Sequence, residues 1–119
     1  MLMVREVIFY ETGTGRSPVE EFLDTLSTKQ ALKTAWVINL VEDMEVVPAQ
    51  YFQKMTSTDD IWEVRVKVAG NIFRFLGFFD GRKLVVLSHA FQKKTQKTPQ
   101  QAIRLAEERK QDYFRRKRK

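Results

Sequence analysis

Three neighbouring runs of strand-forming residues constrain the fold of this chain more than any other feature. They cover residues 61–68, 71–80 and about 83–91, and β-branched and aromatic side chains dominate each run. The connections between them contain Ala69-Gly70 or Gly70-Asn71, and Asp80-Gly81 or Gly81-Arg82. Two-residue turns of this composition join antiparallel strands. The runs therefore predict three strands connected by two hairpins.

Helix-start signals precede this region. Ser17 followed by Pro18 predicts a short helix over 18–26, and Ser27 with Gln30 forms a capping box for a second helix that ends near residue 45. The apolar stripe predicted for the second helix consists of Leu32, Trp36, Val37, Leu40, Val41 and Met44.

The rest of the chain completes a small α+β pattern. Residues 4–10 predict a first strand, and residues 46–60 predict a loop. Thr98, Pro99 and Gln101 are typical of a capped start to a last helix. The predicted order is β-α-α-β-β-β-α, with a mostly antiparallel sheet and the helices packed on one face.

Strand alternation divides the three central runs between two faces. Every candidate turn pairs residues of opposite parity, so the division does not depend on which turns are used. The face expected under the helices carries Trp62, Val64, Val66, Val68, Phe73, Phe75, Gly77, Phe79, Leu84, Val86, Ser88 and Ala90. The other face carries Glu63, Arg65, Lys67, Ile72, Arg74, Leu76, Phe78, Val85, Leu87, His89, Phe91 and Lys93.

The second face is the candidate functional surface. It places Arg65 or Lys67 opposite Arg74, with His89 on the next strand. Like charges directly opposite one another on a sheet destabilise it by roughly 0.2–1 kcal/mol, so their presence favours an anion-binding pocket. The alternative is an ordinary solvent-facing sheet in which Glu63 pairs with Arg65 or Lys83.

The charge distribution is uneven. The net charge is +6, but residues 1–91 carry 10 basic and 12 acidic side chains, whereas residues 92–119 carry 11 basic and 3 acidic ones. Such a basic segment attracts nucleic acid, an acidic partner or a membrane surface, unless it is only a solvated helix end. The last five residues, 115–119, are all cationic and are expected to fray.

Composition excludes several classes of protein. The chain has 119 residues, which suits one domain, and it has no cysteine, so it cannot form disulfides, thiolate zinc sites or a cysteine nucleophile. His89 is the single histidine, and no carboxylate spacing supports a metal site. No apolar run approaches the roughly 20 residues that cross a membrane, and residues 1–10 lack an apolar signal core, so a cytoplasmic location is expected.

Three motifs resemble one known family. They are Trp62-Glu63-Val64-Arg65, Asn71-Ile72-Phe73-Arg74, and the run from His89 to Pro99, HAFQKKTQKTP. The sequence is similar to the RelE/HigB toxins of type II toxin–antitoxin modules, and most similar to their phage-related HigB branch. The resemblance extends over nearly the whole chain.

The resemblance implies a microbial RNase-like fold and a ribosome-dependent endoribonuclease that cuts mRNA in the ribosomal A site. It also implies inhibition by a cognate antitoxin, often a helix-turn-helix protein. Such toxins need no metal or other cofactor, because the ribose 2′-hydroxyl attacks the adjacent phosphate. The implied catalytic residues are Arg65, Arg74 and His89, and the implied substrate-binding residues are Lys67, Phe91, Lys93, Lys94 and Lys97.

Two other functions remain open from the sequence. One is a ParE-like toxin that inhibits DNA gyrase without cutting RNA, and the other is a nonenzymatic module that binds nucleic acid or a partner. The expected convergence of Arg65, Arg74 and His89 favours the endoribonuclease. The sequence does not predict an oligomeric state.

Overall fold

A five-stranded sheet forms the centre of the protein, for which a computed structural model describes residues 3–117. The elements are β1 (Glu6–Phe9), α1 (Pro18–Leu23), α2 (Thr28–Asp43), β2 (Phe52–Lys54), β3 (Trp62–Val68), β4 (Asn71–Asp80), β5 (Lys83–Lys93) and α3 (Gln100–Lys117). The strand order is β1-β5-β4-β3-β2, and β1 lies parallel to β5 while the other neighbours are antiparallel. The predicted α+β class and mostly antiparallel sheet are confirmed.

Both predicted hairpins form, and the structure selects one turn for each. Val68 pairs with Asn71, so the first turn consists of Ala69 and Gly70, whose φ angles are 48° and 80°. Two consecutive positive φ angles give the turn a twist that matches the flanking strands. Asp80 pairs with Lys83, so the second turn begins at Gly81, whose φ is 61°.

The segment predicted as a loop contains one additional strand, β2. Its three residues pair with β3, and Phe52 packs on the Trp62 ring with the centroids 4.8 Å apart. Three residues are too few to show an alternating pattern, so no local pattern indicated this strand.

The helices cover both faces of the sheet, so the prediction that they pack on one face is wrong. α1 and α2 cover the face that carries Val64, Val66, Phe73 and Phe75. α3 covers the other face, where its buried residues Ala102, Ile103 and Ala106 pack in one cluster with Leu76, Phe78, Val85 and Leu87. The second face has enough apolar residues to need a cover of its own.

The helix starts follow the predicted caps at α1 and α2. Ser17 accepts a hydrogen bond from the Glu20 amide, and Ser27 forms a complete capping box with Gln30. α1 ends at Leu23, three residues before the predicted end. None of the helices within residues 3–117 is long and apolar enough to cross a membrane.

A β-bulge in β5 changes which residues share a face. Leu76 pairs with Ser88 but Gly77 pairs with Val86, so Leu87 is an extra residue. A Cβ atom at Gly77 would lie 2.5 Å from the Val85 carbonyl oxygen, so only glycine fits this close approach. Because side chains alternate along a strand, the extra residue reverses the predicted faces from Ser88 to Lys93.

Candidate functional site

The buried carboxylate of Glu63 is the centre of the candidate site. Nη1 of Arg74 lies 3.1 Å from each of its oxygens, and Nε of Arg65 donates to Oε1 at 2.7 Å. The Thr98 hydroxyl donates to Oε2 at 2.7 Å. Glu63 is 2% exposed, and its burial is compensated by these charged and polar partners. The Glu63–Arg65 pair that belonged to the alternative, solvent-facing sheet does form, but in a buried setting and together with Arg74.

Arg74 uses its remaining donors to hold the chain between β5 and α3. Its Nε donates to Gln92 Oε1 at 2.9 Å, and its Nη2 donates to the Gln96 carbonyl at 2.9 Å. The Gln92 amide in turn donates to the Lys97 carbonyl at 2.6 Å. We call Glu63, Arg74, Gln92 and Thr98 the clasp. The clasp fixes the basic loop, residues 93–97, against the sheet.

Arg74 therefore does not occupy the position that the sequence predicted. It was expected to project from an open face of the sheet, but it is 7% exposed and its Nε, Nη1 and Nη2 atoms all have partners. The face is closed because α3 covers it and the chain before α3 crosses over Arg74. Thr98 also differs from its predicted role as a helix cap, since its hydroxyl donates to Glu63.

Arg65 is the cation of this group that remains available. It lies between two clefts: one of about 250 Å³ that also contains Lys54, Glu63 and Thr98, and one of about 170 Å³ that also contains Lys67. Its Nε is held by Glu63, and among residues 3–117 its Nη1 and Nη2 atoms make no hydrogen bond. A guanidinium fixed at Nε with two free amino groups has the geometry to hold two oxygens of a phosphate.

Of the predicted lysines, Lys67 lines the smaller cleft together with Arg65, and the other three lie on the basic loop. Lys93, Lys94 and Lys97 are exposed on the basic loop, and Lys67 is exposed on β3. Within the described part of the chain, no acidic side chain lies within 4.0 Å of any of their ammonium groups. The clasp thus connects the backbone of the basic loop, through Arg74, to the Glu63 carboxylate that also holds Arg65.

His89 and Phe91 lie on the opposite face of the sheet from Arg74, which corrects their predicted positions. The bulge at Leu87 turns both side chains, and Lys93 with them, toward the α1 face. The His89 ring stacks on Phe22 of α1, with the centroids 4.1 Å apart. Phe91 packs against Phe73 at 4.9 Å and keeps about half of its surface exposed.

The surroundings of His89 favour its neutral form. Burial lowers the pKa of His89 below its ordinary value, and the positive charge of Arg109 lowers it further. The buried Nδ1 atom has no hydrogen-bond partner within residues 3–117. A neutral imidazole stacked on a phenyl ring is suited to packing, and the sheet separates it from Arg65.

The basic end of the chain lies near the other end of the sheet. Residues 115–117 are helical, and residues 118–119 lie outside the described residues, so the expected fraying is not seen over 115–117. Lys117 pairs with Asp80 at 2.7 Å, and Arg116 pairs with Asp112 at 2.9 Å. The Lys117–Asp80 pair attaches the end of α3 to β4, whereas the Arg116–Asp112 pair lies within the helix.

A further cleft, of about 430 Å³, lies beside this attachment and was not predicted. Tyr10 and Tyr113 line it, and their hydroxyls donate to Asp112 and Asp80, each at 2.6 Å. Burial and the Asp80 carboxylate raise the pKa of Tyr113 to about 12. The sequence offered no sign of these pairs, because Tyr10 and Asp112 are more than a hundred positions apart.

Gln92 and Gln96 are the site residues that sequence reasoning missed. An uncharged amide has no pattern that marks it as the partner of a buried arginine, and the sequence assigned Gln92 to a loop. Strand alternation puts Gln92 and Arg74 on the same face only when the bulge at Leu87 is taken into account, and the sequence did not reveal that bulge.

Fold and site together define a small α+β protein with two small clefts that meet at Arg65 near the edge of its sheet. The chain belongs to the family of phage-derived Gp49-like proteins (DUF891), whose family model matches residues 21–111. This family is associated with toxins of toxin–antitoxin modules, and membership is consistent with a toxin-type function. No curated protein and no solved structure is significantly similar to the chain.

Proposed function

We propose that this protein is the toxin of a type II toxin–antitoxin module and acts as a ribosome-dependent mRNA endoribonuclease. The observation that carries the proposal is the position of Arg65, which lines both clefts and whose Nε donates to Glu63 while its two Nη atoms make no hydrogen bond within residues 3–117. Family membership supports the toxin class, and the resemblance of the three sequence motifs supports RNA as the target.

The reaction requires charge stabilisation at one phosphate. The ribose 2′-oxygen attacks the adjacent phosphorus and loses its proton, and the bond from phosphorus to the 5′-oxygen breaks as that oxygen gains a proton. A 2′,3′-cyclic phosphate remains on the upstream fragment. Negative charge increases on the non-bridging oxygens during this step, and the Nη atoms of Arg65 are placed to hydrogen-bond to them.

The other cations have separate roles in this proposal. Lys67 and the basic loop attract and align the RNA backbone, because their ammonium groups have no acidic partner within residues 3–117. Arg74 is a positioning residue that acts through Glu63 and the basic loop. The proposal assigns no proton transfer to His89, which lies on the other face of the sheet.

Primer extension on mRNA in a translating extract tests the proposal. The wild-type protein should produce discrete cuts in translated message and none in message whose translation is blocked. Arg65→Ala should reduce cutting about 100-fold or more, since it removes a fixed charge-stabilising donor.

Arg82→Ala is the matched control. Arg82 lies in the turn at the far end of β4, about 20 Å or more from Arg74 along the strand, and its deletion should leave cutting unchanged. Intact message in an extract whose translation has stopped would overturn the proposal. Equal cutting by the wild type and Arg65→Ala would reject this cleft as the active site.

A further inference from the structure

An exposed tryptophan lies beside the Arg65 cleft, at the edge of the sheet where β2 begins. Trp36 of α2 is 47% exposed, although the apolar pattern of α2 predicted it to be in the core. Its ring meets Tyr51 edge-on with the centroids 5.6 Å apart, and Lys33 Nζ lies 4.6 Å from its centroid. We call Lys33, Trp36, Tyr51 and Lys67 the α2 edge surface.

The α2 edge surface is continuous with Arg65. Lys33, Tyr51 and Lys67 line the smaller cleft together with Arg65. The backbone joins them as well, because the Arg65 amide donates to the Tyr51 carbonyl at 2.8 Å. A ligand held at Arg65 by one phosphate would therefore extend directly over this surface.

The charge of the α2 edge surface is uncompensated. Among residues 3–117, neither Lys33 nor Lys67 has an acidic side chain within 4.0 Å. By contrast, Lys54 in the neighbouring cleft pairs with Asp60 at 2.8 Å. Two unpaired ammonium groups beside a partly free guanidinium favour a chain of anions over a single one.

Trp36 lies outside the face through which α2 packs on the sheet, and Leu32 of the same helix and Met44 at its end are exposed as well. Val37 and Val41 are fully buried and anchor the helix to the sheet, whereas Trp36 contacts Tyr51 and Lys33 at the rim of the cleft. Cations that follow a backbone, interleaved with aromatic rings on which bases stack, form the usual recognition surface for single-stranded nucleic acid.

We propose that the α2 edge surface binds the single-stranded RNA that flanks the cleaved phosphate, with a base stacked against Trp36 and phosphates at Lys33 and Lys67. The assignment of RNA rests on the proposed function, but the site is separate from the cleavage step. It adds contacts with the RNA to the single phosphate contact at Arg65.

Binding of a labelled polyadenylate RNA of about 12 nucleotides, within the span that such surfaces cover, tests the inference. The wild-type protein should bind it, and Trp36→Ala should weaken the affinity about 5- to 150-fold, the usual cost of losing one stacked base. Trp36→Phe should retain most of the affinity, while Trp36→Leu should lose it although it remains apolar. Lys67→Ala should reduce the slope of log affinity against log salt by about 0.7.

Leu32→Ala is the matched control for Trp36→Ala. Leu32 lies one turn earlier on α2, is 68% exposed, and lines neither cleft. Its removal should leave RNA affinity unchanged, and thermal unfolding should confirm that every variant is folded. If α2 instead presented an apolar docking surface to a protein, Trp36→Ala would leave RNA binding unchanged, and that result would overturn the inference.

The outcomes separate this inference from the proposed function. Trp36-dependent RNA binding by a protein that cuts no message would support the binding surface and overturn the endoribonuclease proposal. Arg65-dependent cutting, together with RNA affinity that is the same in Trp36→Ala and the wild type, would support the endoribonuclease proposal and overturn the binding surface. Absence of RNA binding by the wild-type protein at low salt would also overturn the inference.

Discussion

Both oxygens of the Glu63 carboxylate lie 3.1 Å from Nη1 of Arg74, and both side chains are more than nine-tenths buried. A buried ion pair of this kind contributes little net stability relative to apolar residues, but breaking it leaves one charge buried and unpaired. The loss of stability should therefore be larger when only Glu63 or only Arg74 is replaced than the pair's small net contribution would suggest.

Arg74→Met should destabilise the protein by about 3 kcal/mol or more, because it leaves Glu63 under-compensated in the clasp. The double variant Glu63→Gln with Arg74→Met should cost less than the sum of the two single changes, by about 1 kcal/mol or more. Denaturant unfolding of the four proteins measures this coupling. Additive costs would contradict the clasp, and Arg82→Met provides the exposed control.

Arg65→Lys tests whether the geometry of Arg65 matters beyond its charge. A lysine carries its three donors on one nitrogen, so it cannot bond Glu63 and also match two oxygens of one phosphate in the planar geometry of a guanidinium, and we expect cleavage to fall about tenfold or more. The free energy of unfolding should change by less than about 1 kcal/mol, because the side chain is partly exposed. Cleavage rates on programmed ribosomes provide the measurement. Wild-type rates in Arg65→Lys would mean that a point charge suffices.

His89 should make the protein less stable in mild acid. Because burial lowers the pKa of His89 in the folded state, the unfolded chain takes up a proton near pH 6.5 that the folded chain does not. The stability of the wild type should therefore fall as the pH drops from about 6.5, with a slope of at most about 1.4 kcal/mol per pH unit from this group.

His89→Phe removes the titrating group while retaining a ring against Phe22. Its free energy of unfolding should fall less than that of the wild type between pH 7.5 and pH 5.5, the range in which the unfolded imidazole titrates. His89→Gln should also lose the slope but should be less stable at both pH values, because it loses the stacking. Identical pH dependence in all three proteins would rule out a buried neutral His89.

Tyr113→Phe should loosen the end of α3. It removes the hydrogen bond to Asp80, which we expect to cost about 1–2 kcal/mol at neutral pH. Since the pKa of Tyr113 is raised to about 12, the wild type should also lose stability as the pH rises from about 10 toward 12, and Tyr113→Phe should not show that loss.

Tyr51→Phe serves as the comparison for Tyr113→Phe, because the Tyr51 hydroxyl makes no hydrogen bond within the described residues. Chemical unfolding at pH 7, 10 and 11 distinguishes the two variants. Equal stability of Tyr113→Phe and Tyr51→Phe at pH 7 would contradict an energetic role for the Asp80 contact.

Local signals predicted much of the fold, because turns and caps depend on residues close in sequence. Gly70 and Gly81 supply the positive φ angles that their hairpins require, and Ser27 with Gln30 satisfies the first amides of α2. The resemblance likewise indicated that Arg65 and Arg74 belong to one cluster, and they face one another across β3 and β4.

The division of β5 between the faces could not be read from its own residues. Residues 84–87 are all apolar, so this part of the strand has no polar position at which a change of parity would be visible. The only sequence signal is Gly77 on the neighbouring strand, since a glycine inside a strand often marks a bulge. The buried state of Arg74 depended on the chain between β5 and α3, whose path is set by tertiary contacts.

The bulge at Leu87 has a consequence for variation in the length of the chain. In a surface loop, the gain of one residue is usually harmless, but a residue inserted between Leu87 and Ser88 would exchange the two faces from Ser88 onward if the bulge remained. Deletion of Leu87 would remove the bulge but leave Ser88 opposite Leu76, so Gln92 would stay on the face of Arg74. A regular strand that kept Leu87 in the ladder would instead point Gln92 away from Arg74 and bring His89 toward it. The clasp therefore depends on which residues of β5 enter the ladder as well as on the identity of its side chains.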